Sequence, residues 1–354
     1  MSLAPLLGTE LPLLQAPMAG VQGSRLAIAV SQAGGLGALP CAMLSPEAIR
    51  AEVAAIRAHG TQPFNLNFFC HVPPVPDTAR EAAWQRKLAD EQARSGLPPA
   101  SVPAGAARRP FDVDMLALVG ELRPAVVSFH FGLPDEHLLA PLREWGCRIL
   151  SSATTVDEAR WLEARGVDAI IAQGLEAGGH RGMFLTDDLT TQVGTFALVP
   201  QIVAAVRCPV IAAGGIADAA GVAAAMALGA AGVQVGTAFL LCPEADTSPL
   251  HRAALQSAAA AHTALTNVFT GRPARGILNH AMRALGPMAG DAPAFPLATA
   301  AMAPLRKAAE ARGSADYSPL WAGQNVSGAL AVPAARRVWD LARGFGTQEP
   351  PCLV

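Results

Sequence analysis

Short apolar runs alternate along the chain with longer amphipathic or alanine-rich stretches, a pattern that predicts strands and helices in turn. Residues 13–18 form the first apolar run, and Ala19-Gly20-Val21-Gln22-Gly23 turns the chain. A short helix is expected at 25–33, ended by Gly34-Gly35, and a second strand at 36–40. Ser45-Pro46 supplies an N-cap and a proline at the first helical position, opening a helix that runs to residue 59. The third strand is 64–69. Regularity then lapses from 71 to 110, where two proline clusters (Pro73, Pro74, Pro76 and Pro98, Pro99, Pro103) flank one polar helix at 77–95. Such a segment is an excursion from the scaffold, either a surface subdomain or a wall over a site. The alternation resumes with strands at 125–131, 148–153, 168–173, 209–213 and 232–237. Helices are expected between them at 135–145, from Thr155, at 196–206 and at 218–229. Thr155 with Glu158 three residues on is a capping-box signature. After Cys242-Pro243 only helices are predicted, at 248–262, 299–312 and 328–343.

Eight strand–helix units with near-continuous apolar strands predict an α/β fold, a (β/α)8 TIM barrel with a helical C-terminal lid. A doubly wound sheet would show a phosphate fingerprint after its first strand, and Ala19 to Gly23 does not supply one. The expected division is a barrel at 1–243 with the excursion 71–110, a helical substrate-side subdomain at 244–326, and a C-terminal helix at 327–354 returning to the barrel.

Composition narrows the function. Hydrophobic residues make up 51% and charged residues 15% of 354, with a net charge of -2, so a large core is expected. Arginines occur in no run longer than pairs such as Arg108-Arg109 and Arg336-Arg337, which argues against nucleic acid or an anionic membrane as partner. Six cysteines stand singly, without a CxxC or a histidine at ligand spacing, so neither a metal site nor a disulfide framework is expected. The uncharged stretch 219–243 divides into an alanine-rich helix and a buried strand rather than a membrane span. No signal peptide is visible, and a soluble cytoplasmic protein, monomer or homodimer, is expected.

The most distinctive stretch is Gln173-Gly-Leu-Glu-Ala-Gly-Gly-His-Arg-Gly182, directly after a buried strand. Its glycines allow close approach to a flat ligand, and His180 is a titratable group on a strand-end loop, where barrel enzymes carry their chemistry. Gly214-Gly215 and Gly236-Thr237 end strands seven and eight, the frequent phosphate position of such barrels. Asn67, Ser151, Ser152 and Gln173 interrupt apolar strand ends and offer paired donors and acceptors to the edge of a heterocycle such as a flavin. A plain structural role competes at each position: a tight turn at the His180 loop, a satisfied core amide at Asn67. His130, between Phe129 and Phe131, either faces the site or fills a polar gap. His59, His137, His251, His262 and His280 lie on or beside helices and read as surface or packing residues. No Ser stands in G-x-S-x-G context, so hydrolase templates fail.

With these motifs in view, the chain resembles the nitronate monooxygenases, formerly 2-nitropropane dioxygenases. The resemblance rests on Gln15-Ala-Pro-Met-Ala19, Phe64-Asn-Leu-Asn67, the Glu176-Ala-Gly-Gly-His-Arg-Gly182 loop, Ala212-Ala-Gly-Gly-Ile216, Gln234-Val-Gly-Thr237 and Leu320-Trp-Ala-Gly-Gln324. It implies FMN as cofactor, with Ala16, Pro17, Met18, Asn67 and Ser152 around the ring, and Gln173, Gly178 and Gly179 along ring and ribityl chain. It further implies that Gly214, Gly215, Gln234, Val235, Gly236 and Thr237 hold the phosphate, that Gln324 lies near the cofactor, and that His180 is the catalytic base. His130 and Lys307 are the substrate-side candidates. The family's substrate-side tyrosines are missing: Tyr317 is the only tyrosine, and Phe295 and Thr299 stand where tyrosines are expected. The implied activity is FMN-dependent oxidation of alkyl nitronates by O2 to a carbonyl compound and nitrite, with neutral nitroalkanes as further candidates. The alternatives are an FMN- and NADH-dependent enoyl-acyl-carrier-protein or quinone reductase on the same barrel, and a non-catalytic flavin or phosphate-ligand binding protein.

Overall fold

The computed structural model describes residues 2–96 and 108–346; Pro98, Pro99, Pro103 and Cys352 lie outside them. The strands are β1 (Leu13–Gln15), β2 (Gly37–Pro40), β3 (Phe64–Phe69), β4 (Val126–His130), β5 (Arg148–Ala153), β6 (Ala169–Gln173), β7 (Gly179–His180), β8 (Val210–Ala213), β9 (Gly232–Val235), β10 (Thr263–Thr266) and β11 (Ala274–Ile277). Eight of them form one parallel sheet in the order β1-β9-β8-β6-β5-β4-β3-β2, and a parallel bridge between Leu14 and Leu36 joins its two ends. This is the expected TIM barrel.

Alternation along each strand places the site. Outward residues such as Val127, Phe129, Ile170 and Ala212 pack under the surrounding helices. Inward residues are apolar at the N-terminal end, where Leu14, Val126, Leu150, Ala169 and Ile211 meet Leu3 and Leu7 of an N-terminal helix plugging the barrel. Two residues further along, the same inward face turns polar: Val126 gives way to Ser128 and His130, Leu150 to Ser152, Ile171 to Gln173. Register aligns this rim, since Asn67 pairs with Ser128 and Phe69 with His130. Ser151, one residue out of phase, bonds the Phe129 and Gly132 carbonyls instead and faces away from the cavity.

Local signals act as their chemistry dictates. Ser45 accepts from the Ala48 N–H at 3.2 Å, and Pro46 opens the helix Pro46–Ala58. Thr155 caps the Glu158 N–H, but the carboxylate of Glu158 does not close the box on Thr155. It is fully buried and accepts from Thr154 N and Oγ1 (2.6 and 2.7 Å) and from Phe184 N (2.6 Å), tying the loop after β7 to the barrel.

The region after Pro243 departs from the expectation of helices alone. The expected first helix, 248–262, shortens to Pro249–Leu255 with a 3-10 turn at Ala258–Ala261. Directly after it β10 and β11 form an antiparallel hairpin, and β7 adds to its free edge, with His180 opposite Ala274. Thr263-Ala-Leu-Thr266 is too short and mixed to be a strong strand signal, and pairing with β11 decides the conformation. Helices Val113–Leu122 and His280–Leu285 also escape the sequence pattern. The polar helix of the excursion, Thr78–Arg94, packs Trp84 and Leu88 against Met302, Leu305 and Phe269 in a second small core. Glu91 is buried there and accepts from Tyr317 Oη (2.6 Å) and His280 Nε2 (2.7 Å). The last helix, Ala334–Ala342, lies on the barrel, with Val338 and Leu341 in its main core and Arg337 donating to the Ala217 carbonyl at 2.7 Å.

Candidate active site

A cavity of about 180 Å³ opens at the C-terminal rim of the barrel. Ala16, Pro17, Met18, Asn67, Ser152, Gln173, Gly178, Gly179, Gly214, Gly215, Gln234, Val235, Gly236 and Thr237 line it, as do His130 and His180. Two predicted residues are elsewhere. Lys307 is exposed on the helix Ala298–Glu310, and the exposed Gln324 spends its backbone N–H on the Glu176 carbonyl (2.9 Å) while its neighbours Gly323 and Asn325 line the wall.

The loop 173–182 is held from every side. Glu176 reaches across to the start of the helix Thr195–Ala205, accepting from Thr195 N (2.8 Å) and Oγ1 (2.7 Å). Arg181 is fully buried and spends its fork inward, on the carbonyls of Gln173 and Gly174 (2.7 Å each) and on Gln192 Oε1 (3.0 Å). The Gln173 side chain closes the same loop, donating to the His180 carbonyl (2.9 Å) and accepting from Gly182 N (2.7 Å). Its amide therefore shapes the loop rather than presenting both edges to a ligand. Close approach explains two glycines: a Cβ on Gly178 would stand 2.6 Å from Gly323 N, and one on Gly182 2.7 Å from Ser152 Oγ.

His130 and His180 part company here. His130 Nδ1 lies 2.6 Å from Ser152 Oγ and its Nε2 3.2 Å from the His180 carbonyl, so Nε2 carries the hydrogen and Nδ1 accepts from the serine. Both nitrogens are committed, and burial pushes its pKa down to about 3. His130 thus positions the loop. The His180 ring lies among Phe295, Trp321, Phe131 and Phe69, with centroids 5.4, 5.6, 6.0 and 6.2 Å away. Its Nε2 meets Thr270 Oγ1 at 3.0 Å. Burial first, then the nearby Arg108 guanidinium, hold its pKa well below the usual value, so the ring is neutral at pH 7. When the Thr270 proton goes to the Arg272 carbonyl (3.3 Å), Nε2 of His180 carries its hydrogen and Nδ1 keeps a free lone pair.

The glycine ends of β8 and β9 form a cradle. Gly214 and Gly215 take φ of +118° and +73°, and the N–H groups of Gly215 and Thr237 meet no protein acceptor among the described residues. The helix Ala219–Ala227 that follows is capped by Asp218, which accepts from Gly221 N (2.8 Å), so the protein itself satisfies one of its first N–H groups. On β9, two residues before Gly236, Gln234 Oε1 is buried without a partner at the cavity wall, an acceptor awaiting an N–H. Asn67 donates to Ser128 (2.9 Å to Oγ).

Sequence reasoning missed several participants. His251, read as a surface or packing residue, lines the cavity and is buried, with its pKa pushed down to about 4 by burial. His71 is buried against Phe295 and likewise held near 4, chiefly by burial. Arg108 lines the cavity, and Thr270 comes from the unforeseen hairpin region. Phe131 sits in the left-handed region at φ +71°, a strained turn that throws its ring onto Phe69 and Phe295 (4.8 and 5.5 Å). Nothing in its residue type signals that.

Known proteins match this arrangement over nearly its whole length. The family model of nitronate monooxygenase matches residues 2–341. A nitronate monooxygenase of Paraburkholderia phytofirmans is 45% identical over 97% of this chain and 94% of its own. One of Pseudomonas aeruginosa is 44% identical over 93% and 95%. Among solved structures, nitroalkane oxidase from Streptomyces ansochromogenes superposes with a TM-score of 0.87 at 39% identity, covering 98% of both chains. FabK from Thermotoga maritima superposes at 0.73 and 29% identity, over 98% and 96%. With a neutral histidine and a glycine cradle lining one cavity at the rim of a barrel, and relatives of this likeness from end to end, the chain belongs to the nitronate monooxygenase family of oxidoreductases.

Proposed function

We propose that the protein oxidises alkyl nitronates with O2 to a carbonyl compound and nitrite, with FMN as cofactor. The observation that carries this reading is the neutral, half-buried His180, lining the same cavity as a glycine cradle. FMN fits the residues present: unpaired N–H groups at Gly215 and Thr237 suit a phosphate, and the orphaned Gln234 Oε1 suits a ring N–H. Among the described residues one such cradle is found, which favours FMN over a dinucleotide. When bound, FMN supplies the one-electron redox chemistry that an electron-rich nitronate requires before oxygen reacts at its carbon. The protein's own residues bind, orient and move the proton. Nδ1 of His180 accepts the α-proton when a neutral nitroalkane enters, and hydrogen-bonds the nitro oxygens after protonation. The aromatic wall of Phe69, Phe131, Phe295 and Trp321 keeps bulk water from that proton.

Anaerobic mixing of the flavin-loaded protein with a nitronate, and separately with NADH, tests the reading. Bleaching of the flavin by the nitronate and not by NADH is expected. Bleaching by NADH alone would overturn it in favour of a reductase on the same barrel, and mass analysis of the released cofactor decides between FMN and FAD.

A further inference from the structure

Arg108 is the single formally charged side chain among the described residues that line the cavity; no Asp, Glu or Lys joins it. It stands at the end of the excursion, with Nη1 2.6 Å from Thr299 Oγ1 and its guanidinium carbon 5.7 Å from the centre of the Phe295 ring. Phe295 in turn packs on His180, so this cation lies on the histidine side of the cavity and not at the glycine cradle. Four other enclosed arginines are spent on backbone carbonyls: Arg181 on Gln173 and Gly174, Arg252 on Leu241, Cys242 and Ala245, Arg275 on Leu175 and Thr263, Arg272 on Met183 with its plane 4.1 Å from the Phe131 ring centre. None of those four lines the cavity. Arg108 makes no ion pair among the described residues, and a hydroxyl is its one recorded side-chain acceptor. A half-buried guanidinium without a carboxylate loses part of its hydration, a cost that a ligand bringing the counter-charge offsets. Its planar fork matches two oxygens on one atom, the geometry of a carboxylate and equally of a nitronate.

We propose that Arg108, oriented by Thr299, is the anion receptor of this site and binds the paired oxygens of the substrate. The inference rests on the nitronate reading for the identity of the ligand, while the receptor itself can be tested without turnover. Nitrate is the probe, because it carries the same planar O–N–O unit and does not react. Titration of the flavin-loaded protein with sodium nitrate by calorimetry should show saturable binding that Arg108→Gln weakens about ten- to a hundredfold, the loss of a charged hydrogen-bonding partner. Arg108→Lys should retain part of the affinity, and Thr299→Val, which leaves the charge but frees its orientation, should weaken binding less than Arg108→Gln does. In turnover, Arg108→Gln should raise KM for the nitronate of 2-nitropropane by a similar factor. Its KM for neutral 2-nitropropane should move far less. Unchanged nitrate affinity in a flavin-loaded Arg108→Gln protein would overturn the proposal, and so would an equal rise in KM for both substrates. If nitrate binding depends on Arg108 but the unaltered protein oxidises no nitronate, the receptor stands and the proposed function falls.

Discussion

Replacing His180 by Asn separates proton transfer from binding, and the structure fixes what should survive. The loop does not depend on the imidazole: Gln173 and His130 hold the backbone carbonyl of residue 180, β7 pairs with β11, and Arg181 and Glu176 anchor the flanks. The variant should therefore fold and keep its flavin. What is lost is a neutral base and one hydrogen bond to Thr270. The hydrogen bond is worth about 1 kcal/mol, about fivefold, and that loss falls on every substrate alike. The base is worth about 10²–10⁴-fold, about 3–5 kcal/mol, and only where an α-proton must be removed. Oxygen uptake with nitroethane, added neutral or as preformed nitronate, measures both. Neutral nitroethane should slow at least about a hundredfold, and the nitronate by about fivefold. Equal losses on the two forms would refute the base and leave His180 as a binding residue. No loss on either would make the loop structural, and His130, with both nitrogens engaged, could not take over without breaking its own bonds.

Three further outcomes follow from the same geometry. Gly215→Val should abolish flavin retention on gel filtration, because a branched side chain cannot easily hold φ +73° and would disturb the unpaired N–H groups; stoichiometric flavin in the folded variant would put the phosphate elsewhere. Arg181→Met should cost about 2–4 kcal/mol in urea denaturation, since two buried carbonyls and Gln192 Oε1 lose their donor while the cost of burying a cation is recovered; a loss below about 1 kcal/mol would show the loop is held without it. His71 and His251 have folded pKa values of about 4, below the unfolded 6.5, so the unfolded chain binds more protons in acid. Their contribution is full above pH 6.5 and fades as pH falls toward 4, each by at most about 1.4 kcal/mol per pH unit. His251→Phe should flatten that acid slope in denaturation midpoints, and an unchanged slope would assign it to other groups.

What the sequence revealed depended on how local its cause was. The barrel was legible because each strand carries its own apolar run, and Ser45-Pro46 or Asp218 fixes a helix start within a few residues. Glu158 shows the limit: its capping signature is real, but burial redirects the carboxylate to Thr154 and Phe184, a choice made by the packed loop. Glu176 and Arg181 stood in the recognised motif without a stated role, because their partners Thr195 and Gln192 are distant along the chain. Thr270 and the hairpin around it were invisible for the same reason, since a four-residue strand such as Thr263-Ala-Leu-Thr266 exists only by pairing. Arg108 read only as half of a short arginine pair, yet Arg109 bonds the carboxylates of Asp112 and Asp114 while Arg108 lines the cavity.

That division bears on how a depressed histidine can still act as a base. In the free protein the Arg108 charge lowers the proton affinity of His180, which keeps the ring neutral and makes it a weak base. Removal of an α-proton creates negative charge on the nitro oxygens as positive charge appears on the imidazole. If those oxygens lie against Arg108, the cation that opposed protonation is neutralised as the proton arrives, so the two residues favour the transition state more than the resting state. Such coupling makes their contributions non-additive. Loss of Arg108 should cost more in neutral nitroalkane turnover when His180 is present than after His180→Asn, and the four proteins of that double-mutant cycle measure the difference. Additive losses would mean that Arg108 and His180 act on separate parts of the substrate.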